Sequence, residues 1–193
     1  MIVTIHQPEH FPYAGFFQKM SKADLFVVLD NVKFRKNYFQ NRNKIKSRSG
    51  DDLWLTVPVE KSADSKEIRD VITSTDPNWR KKLSRTVQEN LKVNLDEVYS
   101  HEKLIDINMA SIKWCMEKLN IDRPMVMASS LNVTGSKSEL LANVLRSVGA
   151  KKYVSGPSGK DYLDLTHFEG IEVEFFEPVV NNYYSSLYNI VNS

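Results

Sequence analysis

Met1-Ile2-Val3-Thr4-Ile5-His6-Gln7-Pro8 and, farther on, Leu25-Phe26-Val27-Val28-Leu29-Asp30 decide the fold class. Each is a short apolar run that ends on polar or ionisable residues. Runs of four to eight apolar residues suit strands buried on both faces, as in parallel sheets. Between them, residues 13–22 carry Phe16, Phe17 and Met20 at helical spacing. Strand, helix and strand within thirty residues describe a βαβ unit. Open α/β sheets bind ligands beyond the carboxyl ends of their strands, where His6 and Asp30 fall.

The rest of the chain repeats the alternation. Asp52 to Pro58 reads as a strand that the proline ends, and Ile68 to Ile72 as a short strand. Asp76-Pro77 is a helix start, with Asp as N-cap and Pro at the first helical position. The helix over about 77–92 puts Trp79, Leu83, Val87 and Leu91 on one stripe, and a second helix, about 104–119, uses Leu104, Ile107, Ile112, Met116 and Leu119. Met125 to Ser130 is a strand. Ser136 and Glu139 have capping-box spacing before a helix that Gly149 stops. Lys152 to Ser155 and residues 171–176 complete the strands. The expected fold is α/β, a single domain over residues 1–193, with a largely parallel open sheet and helices on both faces.

The chain has 193 residues, a net charge of +2, seven Gly and seven Pro, which is ordinary globular composition. No apolar stretch is long enough to span a bilayer and no signal peptide is visible. Cys115 is alone, so no intramolecular disulfide or cysteine metal cage can form. These features point to the cytoplasm. Residues 33–48 depart from the average, with seven Lys or Arg and no acid. The segment has no clean period and reads as loop or irregular strand. It can hold phosphate through Arg42, with Asn41, Asn43 and Lys44 beside it. It can also stack single-stranded nucleic acid on Phe34, Tyr38 and Phe39, or be a solvated basic loop.

Several residue types suit chemistry. His6 after the first strand can serve as a general base, or can be a histidine buried for structure. Asp30 can orient His6, hold a ribose hydroxyl, bind an amine, or cap a turn. His6 and His10 are four apart, but Pro8 and Pro12 oppose the helix that would bring them together on a metal, and no metal site is expected. Ser155-Gly156-Pro157-Ser158-Gly159 follows a strand and can wrap a ligand closely, or can be an ordinary turn. Thr134-Gly135-Ser136-Lys137 lacks the first glycine of a phosphate-binding P-loop. No standard nucleophile motif is present.

Ile5-His6-Gln7-Pro8, Pro12-Tyr13, Gly15-Phe16-Phe17, Lys19-Met20, Ala23-Asp24, Val28-Leu29-Asp30 and Asn41-Arg42-Asn43 together resemble the WbqC-like family. Trp54, Val57-Pro58, Trp79, Lys137-Ser138-Glu139, Tyr153, Ser155-Gly156, Gly159 and Tyr162-Leu163 extend the likeness to about residue 178. Residue 10 departs, being His where an aromatic such as Tyr is expected. The end departs more, since Tyr183 to Ser193 stops short of the apolar segment with which the family usually continues.

The resemblance implies a place among bacterial O-antigen and surface-polysaccharide proteins. It implies a transferase that moves an aminoacyl or acyl group, such as glycine, onto an amino sugar or sugar nucleotide. The alternative is a non-enzymatic protein that binds nucleotide, single-stranded nucleic acid or a polysaccharide-assembly partner. On the first reading His6 is the base and Asp30 orients it. Gln7, Lys19, Arg42, Asn43, Lys44, Ser155, Gly156, Gly159 and Tyr162 are the candidate substrate or phosphate contacts. The expected partner is a phosphate-bearing small molecule, a nucleotide sugar or activated acyl donor. Nucleic acid is not expected, and no cofactor is implied.

Overall fold

The computed structural model describes residues 1–193. In chain order the elements are β1 (Ile2–His6), α1 (Ala14–Ser21), β2 (Leu25–Val28), β3 (Arg42–Lys46), β4 (Asp52–Thr56), α2 (Asn78–Leu91), α3 (Leu104–Lys118), β5 (Met125–Met127), α4 (Lys137–Ser147), β6 (Lys152–Ser155), α5 (Gly159–Tyr162), β7 (Glu172–Phe175) and α6 (Ser186–Val191). They divide into two compact units. The first comprises Met1–Gln7, Gly15–Asp30 and Asp122–Asn181; the second comprises Pro8–Ala14, Asn31–Ile121 and Asn182–Ser193. No helix is long and apolar enough to cross a membrane.

The first unit is α/β, as the alternating runs predict. Its five strands run parallel in the order β5-β2-β1-β6-β7. The central strands are largely apolar where they are buried: Val3, Phe26, Val27 and Val28 have no exposed surface, and the equally buried Thr4 donates its hydroxyl to the Val154 carbonyl at 2.8 Å. Register places Thr4 beside Phe26 and Val3 beside Tyr153, so these pairs mark opposite faces. On the first face Phe16 of α1 packs on Phe26, ring centroids 5.1 Å apart. On the other, Phe168 stacks parallel to Tyr153 at 5.9 Å, from a turn that packs against α4. Gly149 takes φ +71° just past α4, and the Ala150 N–H reaches back to the Leu145 carbonyl, closing the helix end as expected.

The second unit holds the β3–β4 hairpin, α2, α3 and α6. The α2 stripe of Trp79, Leu83, Val87 and Leu91 is buried as its spacing predicts. Asp76 Oδ1 accepts the Asn78 N–H at 3.0 Å and serves the helix start.

Four local expectations are corrected. The strand expected over Met125 to Ser130 ends at Met127, and Ala128–Leu131 is a 3-10 turn. Residues 42–46 are a regular strand, antiparallel to β4. Ile68–Asp70 is a 3-10 turn, not a strand. Ser136 stands at the N-cap of α4 with extended backbone but makes no side-chain cap bond; Lys137 opens that helix at φ +49°. The capping box is therefore not formed.

Candidate functional site

In the first unit the strand order reverses between β1 and β6: β2 and β5 lie to one side of β1, β6 and β7 to the other. Such a switch point is where an open α/β sheet forms its ligand crevice. The carboxyl ends of the two flanking strands carry His6-Gln7 and Ser155-Gly156. His6 lies in register with Val28, and its carbonyl accepts the Leu29 N–H at 2.8 Å. Asp30 follows directly, so His6 and Asp30 share one edge of the sheet.

The His6 ring is fixed. Its Nδ1 lies 3.0 Å from the Gln7 carbonyl, which can only accept, so the proton sits on Nδ1 and the lone pair on Nε2. Phe16 meets the ring edge-on at 4.8 Å. Burial, and then the charge of Lys19, push its pKa down to about 3, so the imidazole is neutral throughout the physiological range. Lys19 itself is buried, and its Nζ donates to the Ile5 carbonyl at 3.2 Å.

Asp30 is 2% exposed, and both its oxygens are engaged by Ser129. Oδ1 accepts the Ser129 N–H at 2.9 Å and Oδ2 accepts its hydroxyl at 2.6 Å. The carboxylate thus ties the ends of neighbouring strands β2 and β5 together. Nothing local in the sequence marks Ser129, which is brought to Asp30 from 99 positions away.

Ser155 closes β6 with its hydroxyl buried, on the same side of the strand as Tyr153. Gly159 opens α5 directly against it. A β-carbon at 159 would drive into Ser155 Oγ and press on Phe175 at 3.1 Å and Leu163 at 3.2 Å. Gly159 is therefore required by close approach, not by a special backbone angle. Gly156 has open space around its Cα, and Tyr162 is 61% exposed.

Arg42, Asn43 and Lys44 belong to the second unit. Asn43 is buried; its Nδ2 donates to the Phe11 carbonyl at 2.9 Å and its Oδ1 accepts the Lys44 N–H. Arg42 lies over the Trp54 ring at 4.3 Å, and Lys44 pairs with Asp52 at 2.6 Å. His10 is fully buried, its Nε2 3.2 Å from the Tyr99 hydroxyl. Burial pushes His10 to about 3 as well. No group of three or more His, Cys, Asp or Glu is gathered to hold a metal.

The family model described as the WbqC-like protein family matches residues 7–190. The chain belongs to the WbqC-like protein family. It is similar to an uncharacterized protein of Mycobacterium tuberculosis, Rv1507c, at 29% identity over 185 residues, covering 89% of this chain and 79% of the relative. No solved structure matches.

The motif residues of this WbqC-like chain divide by the work their contacts show. Gln40, Asn41 and Asn43 are internal braces: Gln40 Oε1 accepts the Arg35 N–H, and Asn41 links the Asn37 N–H to the Val57 carbonyl. Asn108 and Ser111 of α3 add to them, bonding the Pro8 and Gln40 carbonyls and the Phe11 N–H. These bonds hold Phe11, fully buried, at φ +44°, a backbone region that bulky residues rarely enter. Of the amides flanking Arg42, Asn43 therefore serves the loop around Phe11, and Asn41 ties the turn at Asn37 to the residue after β4. His6, Gln7, Lys19, Asp30, Ser155, Gly156, Gly159 and Tyr162 all fall in the first unit.

Proposed function

We propose that this WbqC-like chain is a transferase that places an acyl or aminoacyl group, glycyl among them, on the amino group of an amino sugar or sugar nucleotide in bacterial surface-polysaccharide assembly. Family membership supports the setting. The observation that carries the chemistry is the neutral His6 ring, with its proton committed to Nδ1, at the switch point of a parallel sheet.

In the proposed reaction the acceptor amine attacks the carbonyl carbon of an activated donor. The new C–N bond forms, the bond to the leaving group breaks, and the amine proton passes by way of His6 Nε2 to the leaving group. A ring held near pKa 3 is always in its accepting form at neutral pH, but is a weak base. Negative charge arriving with a phosphate-bearing donor raises it toward a useful value. Ser155, Gly156 and Gly159 form the loop that meets the donor, with Gln7, Lys19 and Tyr162 as further contacts. Asp30 acts as a positioning residue through Ser129.

The test is mass spectrometry of UDP-glucosamine incubated with the protein and a panel of acyl and aminoacyl donors. His6→Asn is expected to lower turnover roughly 10²- to 10⁴-fold, the usual loss when a general base is removed. Full activity in that variant rules out the role. Absence of turnover by the unmodified protein with every donor favours the non-enzymatic binding reading.

A further inference from the structure

The hairpin of the second unit has one face in the core and one in water. Strand alternation and register put Asn43, Ile45, Leu53 and Leu55 on one side, and Arg42, Lys44, Lys46, Asp52, Trp54 and Thr56 on the other. Ile45 and Leu55 are buried, whereas Trp54 is 43% exposed. An exposed tryptophan on a short two-stranded sheet needs a reason, and here it is not isolated. The Arg42 guanidinium lies on Trp54, and the Lys44 and Lys46 ammonium groups lie 5.3 and 5.9 Å from the Tyr184 ring. Tyr184 is held by its hydroxyl, which donates to Asp52 at 2.6 Å. In the loop before β3, Arg35 lies over Tyr38 at 4.7 Å, and Tyr38 pairs with Phe39. Tyr38 and Phe39 are 43% and 38% exposed.

We infer that the outer face of the β3–β4 hairpin, with the Arg35–Phe39 loop, binds single-stranded nucleic acid. Three properties meet on this surface. Stacking area is exposed in two places, at Trp54 and at Tyr38-Phe39. Guanidinium planes lie on Trp54 and Tyr38, and such planes accept unstacked bases as aromatic rings do. Charge is mainly of one sign: residues 33–48 hold no acid, and the acids that approach them are Asp52, which pairs with Lys44 and attracts Lys46 across the hairpin, and Asp64, which accepts the Lys36 N–H. The cations of this face and its loop outnumber the acids beside them, and Arg42 and Lys46 stand four residues apart on one extended strand, about 14 Å at 3.4 Å per residue. That is an elongated cationic track beside stacking rings, the pattern of sequence-tolerant single-strand binders. Phe34, which the sequence offers as a third stacking ring, is 3% exposed and belongs to the core. The inference does not depend on the transferase reading.

The experiment is fluorescence anisotropy of the full chain with labelled dT20 and rU20. A five-nucleotide probe, a duplex and a heparin oligosaccharide serve as comparisons. Saturable binding to the single strands is expected at 50 mM KCl, tighter for twenty nucleotides than for five. It should weaken steeply with salt, by about 0.7 log units per log unit of salt for each phosphate contacted. Trp54→Ala should weaken binding about 5- to 150-fold, the loss of one stacked base. Lys46→Ala should lower the salt slope by roughly the share of one phosphate. Both side chains are exposed, and an unchanged thermal melt confirms that the variants fold. The inference is overturned if no single strand binds at 50 mM KCl, if Trp54→Ala binds as well as the unmodified protein, or if heparin binds and the single strands do not.

Discussion

Acidification from pH 7 to pH 5 should destabilise this protein well before its carboxylates titrate. Burial holds His6 and His10 near pKa 3, against about 6.5 in an unfolded chain. A histidine whose folded pKa is depressed contributes its full stability above 6.5 and loses it as pH falls toward 3, because the unfolded chain takes up the proton and the folded one does not. Over these two pH units one such group loses about 2 kcal/mol. His10 is fully buried and should count in full; His6 keeps partial exposure and counts for less. The expected loss is about 2–4 kcal/mol, a large part of the ~5–15 kcal/mol typical of a domain. Glu60, held down to about 2 by its bond from Lys66, acts only below its ordinary range near 4.5, outside this window. Urea unfolding at pH 7, 6 and 5 reads the slope. His10→Phe leaves the Tyr99 hydroxyl without its partner, so it should be less stable at every pH by roughly 1–3 kcal/mol, yet its pH slope should fall by about half or more. A flat profile from pH 7 to 5, or an unchanged slope in the variant, would refute the reasoning.

Gly159→Ala should cost about 1–3 kcal/mol by overpacking, because its β-carbon meets Ser155, Phe175 and Leu163. Adding Ser155→Ala should recover part of that loss, so chemical denaturation of the four proteins in the cycle should show non-additivity of at least about 0.5 kcal/mol. Asn43→Ala should destabilise by roughly 1–3 kcal/mol, since it strands the buried Phe11 carbonyl in a strained loop; a melt matching the unmodified protein would remove Asn43 as a brace.

The parallel sheet was legible because residues 2–5 and 25–29 pass through the core and are apolar at every position but Thr4. The same logic placed His6 and Asp30 on one edge. Strand β3 was not legible, because its inward positions are filled by Asn43 and Ile45 and its outward ones by Arg42, Lys44 and Lys46. One apolar residue in five leaves no period to read. The division into two units was hidden too: the chain passes between them after Gln7, Ala14, Asp30, Ile121 and Asn181. None of those crossings is marked by a linker composition. In the candidate site, the clustered residues around Arg42 drew attention as a phosphate motif, while the contacts explain Asn41 and Asn43 as internal braces. Ser129 escaped because its partnership with Asp30 is a product of topology, not of spacing.

On the proposed function, the β1–β6 switch point receives a phosphate-bearing ligand. Backbone amide NMR of the protein titrated with UDP-glucosamine and with activated acyl donors tests it most directly. Saturable shifts at 1:1 stoichiometry are expected, centred on His6, Gln7, Gly156 and Gly159, and reduced in His6→Asn. Saturable shifts confined to the opposite edge of the sheet, around Ile2, Asp24 and Lys151, or no shifts with any of these ligands, would contradict it.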